Sequence, residues 1–179
     1  VTPVHVYTSG DEAELFLNGK SMGRKKMTPG KDFRLIWDDV VYTPGELRVV
    51  CYKNGKKWAT DVVKTTGEAA KLTVAADRSL ITADGSDLSF ITVKVADVEG
   101  VMVPRTHSLI KFSIEGPGEI VATDNGDATS FVPFQSHERQ AFNGMALVIV
   151  KAKKGQKGSF TVKAVSEGLD AAKIKVSIK

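Results

Sequence analysis

Apolar residues in this chain recur with period two, and no window sustains the i, i+3, i+4, i+7 spacing of a core helix. Runs of four to eight residues rich in Val, Ile, Phe and Thr are bounded by Gly, Pro, Asn and Asp. In the first third, strands are expected over Val4–Thr8, Ala13–Leu17, Phe33–Asp38, Glu46–Tyr52 and Lys57–Thr65. Asn54-Gly55 between two of them predicts a tight hairpin, because both central residues of a type I′ turn need positive φ. After Thr66-Gly67-Glu68-Ala69-Ala70 the pattern restarts. Strands are then expected over Lys71–Ala76, Leu88–Val95, Ser108–Ile114, Glu119–Ala122, Met145–Ala152, Gly158–Val165 and Ala172–Ile178. Alternation puts Ile91, Val93 and Val95 on one face, and likewise Ile110, Phe112 and Ile114. Short strands with turn signals every 8–12 residues predict an all-β chain of two tandem immunoglobulin-like β-sandwich domains, 1–67 and 68–179. The first is small and is expected to lean on a neighbour. The connector is short, so the two are expected to move as a semi-rigid pair.

At 42% hydrophobic the chain has enough apolar area for a core, but no apolar run approaches the ~20 residues of a membrane helix. No membrane insertion is expected. The chain opens on Val1, with no charged and apolar leader before a cleavage site, and reads as an excised or mature segment. Residues 1–67 carry 11 Lys/Arg against 8 Asp/Glu, and residues 68–179 carry 14 against 13. The only dense basic cluster, Arg24-Lys25-Lys26, reads as a solvated strand edge, so no nucleic acid is expected. Cys51 is the one cysteine; no internal disulfide or Cys metal site can form, and its alternation with Leu47 and Val49 makes it a buried thiol.

Catalytic residues are expected to be absent. His5, His107 and His137 stand at no metal-ligand spacing, and no nucleophile elbow, P-loop or dinucleotide fingerprint is present. Gly116-Pro117-Gly118 is a turn. Asp124-Asn125-Gly126-Asp127 resembles part of a calcium loop but lacks its later positions, and its residue types are those that cap turns. Asp84-Gly85-Ser86-Asp87 reads the same way. No metal and no cofactor are expected. The stretch from Phe131 to Gly144 is the least strand-like part of the second domain. Its Phe side chains are expected to plug one end of the sandwich, with Glu138 and Arg139 in local hydrogen bonds. Trp37 alternates with Phe33 and Leu35 and is assigned to the core. Alternation leaves the face of Trp58 ambiguous, and it is the one Trp open to an exposed role.

Two passages carry a family resemblance. Val6-Tyr7-Thr8-Ser9 followed by Ala13-Glu14-Leu15-Phe16-Leu17-Asn18-Gly19-Lys20-Ser21-Met22-Gly23 resembles the small sandwich that follows the catalytic barrel in bacterial β-galactosidases of glycoside hydrolase family 2. Phe112-Ser113-Ile114-Glu115-Gly116-Pro117-Gly118, Asp124-Asn125-Gly126-Asp127 and Ala141-Phe142-Asn143-Gly144 resemble the next domain of those enzymes. The resemblance implies a bacterial parent, periplasmic or secreted, that cleaves β-galactosides or related glycans. It implies a partner too: the catalytic barrel of the same polypeptide, which carries both catalytic glutamates. None of Glu46, Glu115, Glu119 or Glu138 matches those glutamates. The chain is then a non-catalytic accessory region that packs against the barrel or shapes access to its cleft. A carbohydrate-binding module and a cell-surface adhesion or spacer array are the alternatives. Trp58, Asp124, Asn125, Asp127 and His137 are the candidates for glycan or interface contact.

Overall fold

A computed structural model describes residues 1–179 and contains no helix. It divides into two compact units, Val1–Thr65 and Thr66–Lys179. The division falls ahead of Gly67 because the Gly67 N–H donates to the Asp97 carboxylate at 2.9 Å, within the second unit.

The first unit holds β1 (Val4–Val6), β2 (Glu12–Leu17), β3 (Lys20–Lys26), β4 (Leu35–Trp37), β5 (Glu46–Lys53) and β6 (Lys56–Lys64). Strands β3-β2-β5-β6 form an antiparallel sheet, and β1 pairs with β4 as a separate two-stranded sheet. Asn18-Gly19 and Asn54-Gly55 close their hairpins with positive φ at both positions (49° and 80°, 51° and 74°), as a type I′ turn requires. Val6, Leu35 and Trp37 pack onto Ala13, Leu15 and Cys51 from the larger sheet, so Cys51 is a buried thiol as its alternation implied. Arg24-Lys25-Lys26 lie exposed on the edge strand β3.

Phe33 departs from its expected place on the core face and is 85% exposed. The chain is still turning there. Lys31 and Asp32 donate backbone N–H groups to the Thr28 carbonyl, and the Asp32 carboxylate accepts the Thr28 N–H at 2.6 Å. The strand begins two residues after Phe33, and only Leu35 and Trp37 reach the core.

The second unit holds β7 (Lys71–Ala76), β8 (Leu80–Ile81), β9 (Leu88–Ala96), β10 (Leu109–Glu115), β11 (Gly118–Asp124), β12 (Glu138–Gln140), β13 (Met145–Ala152), β14 (Gly158–Ser166) and β15 (Leu169–Ile178). Two layers, β11-β13-β9-β7 and β15-β14-β10-β12 with β8 also paired to β15, are joined through a parallel bridge between Lys71 and Asp170. Ile91, Val93, Val95, Val148 and Val150 of one layer meet Ile110, Phe112, Phe160, Val162 and Val176 of the other in one core. This is an all-β sandwich pair, with inward rows falling where period two put them. At the β10–β11 turn a Cβ on Gly118 would come 2.5 Å from the Phe160 ring, so only glycine lets the backbone cross there.

Trp37 is 1% exposed and its ring lies 5.4 Å from the Lys25 ammonium, while its buried Nε1–H has no partner. Trp37→Ala is expected to cost the first unit ~3–5 kcal/mol, the range for deleting a large buried aromatic. Trp37→Phe, which also removes the unpartnered N–H, is expected to cost less. Guanidinium denaturation of both variants checks this; a loss below ~1 kcal/mol for Trp37→Ala would place the ring outside the core.

Candidate functional site

Trp58 owes its position to a β-bulge. Cys51 pairs with Ala59 and Tyr52 with Lys57, so Trp58 is the extra residue between them. A bulge re-aims its side chain off the alternating rows, which is why period two could not assign this face. The ring is 55% exposed. Its Nε1–H donates to Ser9 Oγ at 3.0 Å, and the Lys53 ammonium sits 4.7 Å from the ring centre.

Beyond the bulge, Ala59, Asp61 and Val63 pair with Cys51, Val49 and Leu47 and share their core-facing row. Yet all of β6 is exposed, with Val63 at 64%. The reason is strand number: four strands are faced by two, so the outer part of the inner row is uncovered. An open seam results, with cavities of about 100 and 350 Å³ lined by Val6, Leu15 and Val49 on one side and Asp61 and Val63 on the other. His5 lines both.

In the second unit, Asp124, Asn125, Asp127 and His137 belong to the corner between β11 and β12. Asp124 Oδ1 accepts the N–H groups of Asn125 and Gly126, and Asn125 Oδ1 accepts that of Asp127 at 3.0 Å. Asn125 Nδ2 donates to the Gln140 carbonyl at 2.9 Å, tying the turn to β12. Asp127 Oδ1 accepts both the hydroxyl and the N–H of Thr129, which hold its carboxyl below the usual range with help from the His107 charge. His107, rather than His137, is therefore the histidine felt by this loop. The His137 side chain is exposed, and its carbonyl accepts the Phe112 N–H.

The expected phenylalanine plug is replaced by an arginine. Phe131 is 99% exposed and Phe134 59%, whereas Arg139 is 1% exposed. Arg139 Nε donates to Thr123 Oγ1, Nη1 to Ser130 Oγ and the Val132 carbonyl, and Nη2 to the Thr123 and Pro133 carbonyls. A planar guanidinium with five donors is the side chain suited to collecting carbonyls from a non-repetitive loop. It gives no hydropathy signal, so alternation had no means of finding it. Above it lies a cavity of about 330 Å³ lined by Asp124, Asp127, Ser130, Val132, Phe134 and Arg139.

No group of three or more His, Cys, Asp or Glu converges as metal ligands. Glu46, Glu119 and Glu138 pair with Lys64, Lys151 and Lys111 at 4.0, 2.9 and 3.9 Å. The Asp84 loop is a cap: Asp84 Oδ1 accepts the N–H groups of Ser86 and Asp87 and Oδ2 accepts the Thr82 hydroxyl, lowering its pKa to about 2.

Residues 72–175 match the profile described as glycoside hydrolase family 2 C-terminal domain 5, and residues 1–59 match a domain of unknown function (DUF4982). The chain is 38% identical over 171 residues to the beta-galactosidase BoGH2A of Bacteroides ovatus, covering 96% of this chain and 20% of that protein. It is 31% identical to a putative beta-glucuronidase of Formosa agariphila, covering 94% and 16%. Among solved structures, a family 2 glycosyl hydrolase from Bacteroides cellulosilyticus superposes with a TM-score of 0.88 at 34% identity, over 99% of this chain and 23% of that one. A beta-glycosidase from Bacteroides vulgatus gives 0.92 at 28%, over 98% and 22%. The chain thus spans about a fifth of the length of these curated relatives.

Two outcomes follow from the corner and the cap. Arg139→Met is expected to destabilise the second unit by about 3 kcal/mol or more, since hydrogen bonds to a charged group contribute ~1.5–3 kcal/mol each and the carbonyls of Thr123, Val132 and Pro133 each lose a charged donor. Urea denaturation reads the loss. Asp84 has its pKa depressed, so its contribution is fully present above the ordinary value near 3.8 and is lost as pH falls toward about 2. Asp87, Asp97 and Asp127 are shifted the same way. Thermal melts are expected to fall between pH 4 and pH 2, and Asp84→Asn to flatten part of that slope.

Proposed function

The chain belongs to glycoside hydrolase family 2, and from that membership we propose that it serves as a non-catalytic C-terminal accessory region of a longer enzyme. Its first unit packs against the catalytic barrel of the same polypeptide. The whole enzyme cleaves β-galactosides or related glycans, in keeping with the family and with the beta-galactosidase relative. One observation carries the packing role. The inner row of β6 points at the core side of its sheet, yet Val63 is 64% exposed and the seam beside it is open. An apolar row that its own unit leaves uncovered is stabilised when another surface covers it, at ~25 cal/mol per Å² of apolar area removed from water. β6 and β1 are also sheet edges with one side unpaired, and such edges are ordinarily covered or blunted.

The chemistry supports an accessory part. Glycoside hydrolysis needs two carboxyl groups set across a sugar, whereas Glu46, Glu119 and Glu138 stand in ion pairs with lysines at the surface.

The isolated chain is expected to turn over no nitrophenyl β-galactoside, and activity co-eluting with the pure protein would overturn the reading. In the full-length polypeptide, Val63→Asp is expected to lower the thermal midpoint and the activity while leaving the isolated chain's stability within ~0.5 kcal/mol, as for an exposed site. A full-length enzyme indifferent to Val63→Asp would leave the seam without a packing role and favour a tethered spacer.

A further inference from the structure

We propose that the β11–β12 corner of the second unit is a binding site for a neutral sugar, with Phe134 as its aromatic wall and Asp124 and Asp127 as its hydroxyl acceptors. Three observations on this corner converge.

The first is exposure. Phe131 and Phe134 lie three residues apart on one loop, 99% and 59% exposed, and Val132 between them is 44% exposed. Phe134 lines the cavity, whereas Phe131 projects into solvent outside its lining.

The second is the floor. The cavity of about 330 Å³ lies in the ~300–1,000 Å³ range of small-molecule sites. Asp124 and Asp127 each commit Oδ1 to hydrogen bonds from their own loop, which fixes the carboxylate plane and leaves Oδ2 free to accept. An apolar protein anchor seated here would strip water from two carboxylates and return nothing. A sugar satisfies both halves of the site: its hydroxyls donate to the carboxylates, and its C–H face lies against the electron-rich face of a phenyl ring. Two carboxylates outnumber the one guanidinium, Arg139, in the lining, so a uronate meets net negative charge and neutral rings are favoured.

The third is rigidity. Arg139 binds the carbonyls of Thr123, Val132 and Pro133 and holds the loop bearing both rings from beneath. Its guanidinium lies 6.0 Å from the Phe134 ring centre. A loop ordered before the ligand arrives spends little binding energy on ordering.

The site does not depend on the packing role, since it lies wholly in the second unit and needs no barrel. Titration calorimetry of the isolated chain uses methyl β-galactoside, lactose, cellobiose and methyl β-glucuronide. Saturable binding of at least one neutral probe is expected, with methyl β-glucuronide weaker by tenfold or more. Phe134→Ala and Asp127→Asn are each expected to weaken binding at least tenfold, a change of ~1.4 kcal/mol. Phe131→Ala, outside the lining, and Trp58→Ala, in the other unit, change nothing. Thermal melts of the phenylalanine variants stay at the parent value, because these rings are exposed. Three results would each overturn the proposal: no saturable binding of any neutral probe, binding indifferent to Phe134 and Asp127, or a preference for the glucuronide. If sugars fail and Phe131→Ala with Phe134→Ala instead weakens assembly of the full-length enzyme, the loop is a protein contact.

Discussion

Every sheet in this chain has one apolar face, and the number of strands available to cover it decides what each unit can do. In the second unit four strands face five, and the inward rows of β9, β13, β10 and β14 close into a single core. In the first unit two strands face four. Trp37 holds the centre, where its indole packs with Ala13, Leu15 and Cys51 in one core. It cannot reach β6. The same shortage that makes Trp37 indispensable leaves Val63 and Ala59 bare, so core and seam are two results of one deficit.

The second unit solves a different problem at its β11–β12 corner. A loop of about a dozen residues cannot satisfy its own carbonyls through a regular ladder. Burying a guanidinium beneath it supplies five donors from one side chain. No carboxylate accompanies Arg139, and its hydrogen bonds run to carbonyl and hydroxyl oxygens alone. With the polar work done from below, the loop's aromatic residues need not turn inward. That arrangement frees Phe131 and Phe134 for the surface.

Most of the fold was legible because hydrophobic burial follows period two wherever a strand is half covered. The rows of Ile91, Val93 and Val95 and of Ile110, Phe112 and Ile114 were read from residue type alone, and so was the burial of Trp37 and Cys51. The failures have physical causes. Strand β3 is an edge with no apolar row, and β12 buries only an arginine, so neither alternates in hydropathy. Phe33 looked inward because the Asp32 side chain that prolongs the turn acts through a hydrogen bond, which alternation does not register. Trp58 was unassignable because an unpaired residue breaks the period at that point. At the candidate site, Asp124 and Asp127 were visible as turn residues and Arg139 as a local hydrogen-bonding residue, but the full burial of Arg139 and the outward phenylalanines were not. Buried polar satisfaction is a property of the assembled loop, whereas alternation reports only apolar burial.

The two exposed apolar regions therefore call for different occupants. The seam in the first unit has a floor of Val6, Leu15 and Val49 with a single carboxylate, Asp61, at its rim, and it borders two strand edges with free backbone groups. Such a surface rewards a partner that brings apolar area and backbone hydrogen bonds together, which is what a packed protein domain offers. The corner in the second unit has a polar floor and an aromatic rim, and its backbone groups are already committed to Arg139 and to the Asx turns. It offers no ladder to extend. What it offers is two carboxylate acceptors and a phenyl ring lining one cavity, a combination matched by a small molecule with hydroxyls on its edge and C–H bonds on its face. In an accessory region of a glycan-cleaving family, the division of labour follows from the surfaces themselves: the unit short of strands is suited to attachment, and the unit with a complete core can devote a loop to recognition.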